Sequence, residues 1–213
     1  VIRRRLPLLV ERALAEVREA QGRIGSEFEQ TLFGMTMEEE SGPPLSCRKG
    51  CHNCCLHPVA VSVMEGLLLY RHLVSRGMWT PKLRAACQAA AQKSAGLSFE
   101  VWMLAALPCV LLTPTGLCSA YDVRPVSCRT VFSIGDAEKC HPHHIASSTD
   151  ILPRQEPLRD FEAAETEVLR RLGVHRLLTP LPYALLLAEK VEEGEVEVGD
   201  VDKTIAKGYG GEI

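Results

Sequence analysis

The stretch Cys47-Arg-Lys-Gly-Cys-His-Asn-Cys-Cys55 places four of the chain's nine cysteines within nine residues. A thiolate is a soft, polarisable ligand, so a packed run of them is a donor set for zinc, copper(I) or an iron–sulfur cluster rather than for calcium or magnesium. Two local geometries fit the spacing. If the segment is helical, offsets of 0, 4, 7 and 8 put the four thiols on one face. If it is a turn, Gly50 lets the chain fold back and brings backbone amides toward the sulfurs. Adjacent side chains diverge in extended backbone, so one of Cys54 and Cys55 is available to a second centre or to the surroundings of the first.

Four more cysteines follow at wider spacing: Cys109, Cys118, Cys128 and Cys140, with 8, 9 and 11 residues between them. They lie in turn-rich sequence, where a metal can stand in for an apolar core. Eight thiols suffice for two four-thiolate centres, or for one centre with spare sulfurs. The ninth, Cys87, shares a helix face with Leu83, Ala90 and Ser94 and reads as a small core residue. Arg124 and Arg129 flank Cys128, and guanidinium groups there would lower the electrostatic cost of a negatively charged thiolate centre; the alternative is an ordinary salt-bridged turn. His141, His143 and His144 could extend the ligand set or face solvent, and His52 and His57 border the first cluster. His72 and His175 fall on helical segments and read as structural.

Outward from the cysteines the pattern is helical. Leu6, Val10, Ala13, Val17, Ala20 and Ile24 recur at intervals of four and three, which predicts an amphipathic helix to about Phe33, packed on the domain or forming a seam for a partner. GMTMEEESGPP, ending at Pro43 and Pro44, reads as a linker. Ser62 and Glu65 have capping-box spacing before GLLLYRHLV. Thr80 and Pro81 open a second helix, reaching Gly96, and Ser98 a third, to about Leu107. The turn signals at 113–116 and 122–125 predict a short hairpin among irregular loops. Two further helices are expected, at about Glu156–Leu172 and Leu181–Glu192. The fold class is therefore mainly α: a small helical domain around an irregular cysteine-rich metal-binding centre with a short β-hairpin. Its expected parts are an N-terminal helix and linker (1–40), the cysteine-cluster domain (41–192) and an acidic, Gly-rich, loosely attached tail (193–213).

Composition sets limits on function. The 213 residues are 46% hydrophobic, 5% aromatic and carry a net charge of −3, which suits a globular core and gives no overall attraction to polyphosphate, so no nucleic acid is expected as a partner. No apolar run is long enough to span a membrane. Arg3–Arg5 before Leu6–Val10 imitates a secretory signal, but Glu11 and Arg12 break the apolar stretch after five residues. The expectation is a cytoplasmic protein, where clustered cysteines are metal ligands or redox groups more often than disulfides.

CRKGCHNCC at Cys47–Cys55, PCVLL at Pro108–Leu112 and GLCSAYDVRPVSCR at Gly116–Arg129 together resemble the YkgJ-type cysteine-cluster family of zinc- or iron-chelating domains. The pattern C-x2-Y-x2-RP-x2-CR is matched residue for residue. Related cysteine patterns occur in flagellin lysine methylases, which are thought to carry an iron–sulfur cluster. The resemblance, over about residues 47–140, implies metal binding more firmly than any one reaction. Its implied cofactor is an iron–sulfur cluster, first of the 4Fe-4S type, or else zinc. The expected metal ligands are Cys47, Cys51, Cys54, Cys55, Cys109, Cys118, Cys128 and Cys140. Two other functions stay open: a metal-stapled assembly protein that docks a protein partner by its N-terminal helix, and a cluster-containing oxidoreductase or protein methylase. No dinucleotide-binding, Walker A or nucleophile-elbow motif names a catalytic residue.

Overall fold

The computed structural model describes residues 6–38, 47, 50–133, 136–145, 151–153 and 155–209. It is mainly helical. Helix α1 (Leu8–Glu38) begins two residues after Leu6, and the expected stripe Leu6, Val10, Ala13, Val17, Ala20, Ile24 is buried along its length, joined by Leu14. Helices α2 (Val63–Ser75) and α6 (Gln155–Arg171) cover that stripe. The seam that a partner would use is thus occupied within the chain. Each buried Val, Leu or Ile on it contributes about 1.5–3 kcal/mol, which is why so long a helix stays in place. Of the expected linker, 34–38 continue α1 and 39–44 lie outside the described residues, as do Arg3–Arg5.

Helix α2 is the centre of the molecule. Ser62 caps it, its Oγ accepting the Glu65 N–H at 3.1 Å, and every residue from Val61 to Tyr70 is buried. Gly66 is small for a reason: a Cβ there would stand 3.2 Å from the Cβ and the carbonyl oxygen of Ala184 on α7 (Leu181–Glu193), so the two helices approach closely. Helix α3 (Pro81–Ser94), capped by Thr80 with Pro81 in its first turn, packs on the other side of α7 and buries Cys87 completely. Cys87 is the core residue its helix face predicts.

Helix α4 (Phe99–Leu104) is capped by Ser98 and stops short of the expected Leu107. Leu107 precedes Pro108, which disfavours helical backbone, and Ala106 adopts a φ of 46°. The expected hairpin shrinks to one bridge, Leu112 to Cys118, around a turn in which Gly116 N–H donates to the Thr113 carbonyl at 3.0 Å. The regular strands join distant segments instead: β1 (Ala60–Val61) pairs antiparallel with β4 (Thr179–Pro180), and β2 (Val131–Ser133) with β3 (Ile151–Pro153). A short helix α5 (Pro142–Ile145) lies between β2 and β3 in sequence.

The C-terminal stretch differs from the loose tail expected at 193–213. Val198, Val201 and Ile205 enter the main core, and α8 (Val201–Tyr209) is held by Asp202, whose carboxylate accepts the His175 N–H at 3.0 Å. Spacings of three and four supply an apolar face that the acidic composition conceals. Gly210 and Gly211 lie outside the described residues. Among the described residues no helix is long and apolar enough to cross a membrane.

Candidate metal centre

Residues 50–56 of the first cysteine run form a turn. Gly50 has a φ of 87°, and a 3₁₀ turn spans Asn53–Leu56, with Cys55 N–H donating to the His52 carbonyl at 2.8 Å. The chain is wedged between two later segments. Cys109 N–H donates to the Cys55 carbonyl at 2.8 Å, and Asn53 Nδ2 donates to the Ala137 carbonyl at 2.7 Å. His57 Nε2 bonds the Cys140 carbonyl. Gly116, with a φ of 76°, permits a close approach: a Cβ there would meet His52 Nδ1 at 3.0 Å. The segment that bears Cys54 and Cys55 is thereby tied by hydrogen bonds to the segments that bear Cys109 and Cys140.

All nine cysteines are free thiols. Their mutual influence maps two overlapping neighbourhoods. In one, Cys118 acts on Cys109 and both act on Cys128; in the other, Cys51 and Cys140 act on Cys47 and Cys51 acts on Cys140; Cys54 acts on members of both. The Cys54 thiol donates to that of Cys55, which, with burial, raises its pKa far above the usual thiol range. Burial likewise raises Cys47, Cys118, Cys128 and Cys140, and pushes Cys109 up to about 11. Cys47 and Cys54 keep an exposed edge while protein crowds their other sides. Among the described residues no three Cys, His, Asp or Glu side chains stand together at ion-holding distance.

Against that burial, several hydrogen-bond donors act in favour of negative sulfur. Backbone N–H groups of Leu111 and Leu112 donate to Cys109, that of Ala120 to Cys118, and that of Ser133 to Cys47; the Ser133 hydroxyl bonds Cys140. Ser133, fully buried, is a contributor that the sequence reading missed, because nothing in its local pattern links it to Cys47. Arg124 lies over the Tyr121 ring, 4.0 Å from its centroid, and its charge favours the thiolates of Cys54 and Cys118. Its Nε is buried with no acceptor among the described residues, and Ser127 Oγ, beside Cys128, is likewise buried without a partner among them. A buried guanidinium N–H without an acceptor is costly unless a negative group faces it. The donor set and this orphaned donor both fit a thiolate-bound metal.

The other flanking residues have different tasks. Arg129 donates to the carbonyls of Asp122 at 2.6 Å and Arg124 at 3.1 Å. His57 is kept neutral chiefly by burial, with its ring bonded to backbone. His52 approaches the Gly50 carbonyl at 3.2 Å. His141 packs edge-on against His143 and His144, and His143 reaches the Leu104 carbonyl at 3.0 Å.

Residues 46–146 match the family model CxxCxxCC, whose description reads "Putative zinc- or iron-chelating domain". This segment is similar to that cysteine-cluster family. The match spans both cysteine groups and supports metal binding as the function of the domain. No curated protein and no solved structure matches the chain.

Proposed function

We propose that this cysteine-cluster protein holds an iron–sulfur cluster, of the 4Fe-4S type, through thiolates drawn from Cys47, Cys51, Cys54 and Cys55 on one segment and Cys109, Cys118, Cys128 and Cys140 on the other. The observation that carries this reading is the buried guanidinium N–H of Arg124, which has no acceptor among the described residues and whose charge acts on Cys54 and Cys118. Eight sulfurs exceed the four that a structural zinc takes, and N–H donors to sulfur are the means by which proteins stabilise and tune such clusters. When bound, the cluster would supply one-electron chemistry and a rigid cross-link. Each buried thiol must give up its proton on loading, so metal uptake is coupled to proton release. Nine free thiols suit the reducing, cytoplasmic setting that we assign to the protein.

Zinc is the second reading, favoured by the sparse regular structure of residues 109–140, which a structural ion would tie together. Anaerobic purification followed by iron, acid-labile sulfide and zinc determination separates the two. The iron–sulfur reading expects a brown protein with matching iron and sulfide; a colourless protein with stoichiometric zinc replaces it by the structural site. Protein free of both metals after expression in metal-replete cells overturns metal binding. Cys128→Ala is expected to lose metal and melt at a lower temperature, and full retention of metal would remove Cys128 from the ligand set.

A further inference from the structure

A cleft of about 630 Å³ lies where α1, α2 and the loop between Cys118 and Cys128 meet. Its rim is cationic in a chain that is acidic overall. Arg18 comes from α1, Arg76 from the end of α2, and Arg129 from the residue after Cys128, with Asp122 the one carboxylate in the lining. These arginines differ in how they are engaged. Arg71, also in the wall, is held by both carboxylate oxygens of Glu11, at 2.7 and 2.8 Å, and by Glu192. Arg18 and Arg76 are exposed and form no ion pair with a carboxylate among the described residues. Both nonetheless line the same cleft, as does His72, whose protonated form is disfavoured by burial and by the charges of Arg76 and Arg18, against Asp122.

We propose that this cleft binds a small phosphorylated molecule, with Arg18 and Arg76 clamping the phosphate. Guanidinium forks recognise phosphate oxygens in pairs, and two of like charge facing one cleft repel each other until an anion lies between them. The volume falls within the range of small-ligand sites and exceeds what one phosphate fills. Leu68, Val123 and the open surface at Gly22, where a Cβ would meet nothing within 4 Å, leave room for an uncharged remainder. The site does not depend on the metal reading: its clamp stands on α1 and α2, and only its third wall is shared with the cysteine loop.

Inorganic phosphate is the probe, titrated into the full ¹⁵N-labelled chain at ionic strength held constant with chloride. Saturable amide shifts are expected on 18–22, 71–76 and 122–129. The Arg18→Ala, Arg76→Ala double variant is expected to weaken binding at least about tenfold, as loss of charged hydrogen bonds requires. Gly22→Glu provides an independent arm. It adds a helix-favouring residue whose carboxylate competes for the clamp, so affinity should drop by a similar factor while the melting temperature holds or rises. Absence of saturable shifts overturns the proposal. So does unchanged affinity in either variant, which would mark an adventitious ion only. Binding confined to vesicles of phosphatidylglycerol in phosphatidylcholine, with none to phosphate, would overturn it in favour of a membrane surface.

Discussion

The frame formed by α1, α2, α6 and α7 and the cysteine-bearing stretch 109–140 are held together by different physics. In the frame, ten consecutive residues from Val61 to Tyr70 are buried, and Phe161, Leu169 and Leu185 are almost wholly removed from water. Among the described residues of the cysteine stretch, regular structure is limited to 3₁₀ turns at Tyr121–Val123, Val126–Cys128 and Ala137–Cys140, one short strand and a bridge. Its buried side chains are few and scattered, Leu111, Ala120 and Val126 among them. Apolar burial stabilises the first region without help, whereas the second depends on backbone hydrogen bonds and on whatever its thiols bind.

Damage to the frame should be felt most. Phe161→Ala is expected to cost about 3–5 kcal/mol in denaturant unfolding, with metal per folded chain unchanged. A loss below about 1 kcal/mol would mean that the frame does not carry the stability assigned to it.

The two regions meet at a buried carboxylate pair, which gives a pH test. Glu65 accepts the Val126 N–H at 2.8 Å, two residues before Cys128, and Ser62 Oγ bonds Glu165, which also holds Arg176 at 2.8 Å. Burial, then Glu165, pushes Glu65 up to about 7. A carboxyl raised on folding keeps its proton in the native state after the unfolded chain has lost it. Its contribution is therefore complete below about pH 4.5 and is lost as pH rises toward 7. Stability should decline across that window by at most about 1.4 kcal/mol per pH unit for one proton. Glu65→Gln keeps an acceptor for Val126 and should flatten the decline; an unaltered profile would assign it to other groups.

Effects confined to the cysteine region should be smaller in stability and larger in metal. Arg124→Gln removes the charge that acts on Cys54 and Cys118, and metal affinity is expected to fall about 10–100-fold in competition with a chelator. The metal-free protein should melt as before. If it melts lower, the Tyr121 stacking rather than the thiolates accounts for the arginine. Smallest of all is the metal effect of Cys87→Ala. Cys87 is buried between α3 and α7, so content by elemental analysis should not change, and a substantial loss would place Cys87 among the ligands.

Much of the frame was legible because helices declare themselves locally. The Leu6–Ile24 stripe, the caps at Ser62, Thr80 and Ser98, and Pro81 in the first turn of α3 are all short-range features. Glu65 was less legible in its role: the capping-box spacing is real, yet its carboxylate serves the Val126 amide rather than the helix's own first turn. A lone carboxylate inside VSVMEGLLLY, and Glu165 at helical spacing from Phe161 and Val168, were the available signals for a buried pair. The apolar face of α8 was also present in its spacing but was concealed by acidic composition.

The sequence by itself determined the helices and the supply of eight thiols in two groups, since spacing and side-chain chemistry are local properties of the chain. Only the tertiary structure decided that residues 50–56 form a turn, that Cys54 is the sulfur common to both neighbourhoods, that Arg124 faces thiols while Arg129 faces a cleft, and that Ser133 touches Cys47 and Cys140. Those relations join residues tens of positions apart, and the packing of α1, α2 and the cysteine loop against one another, not any neighbour in sequence, sets which way each side chain turns.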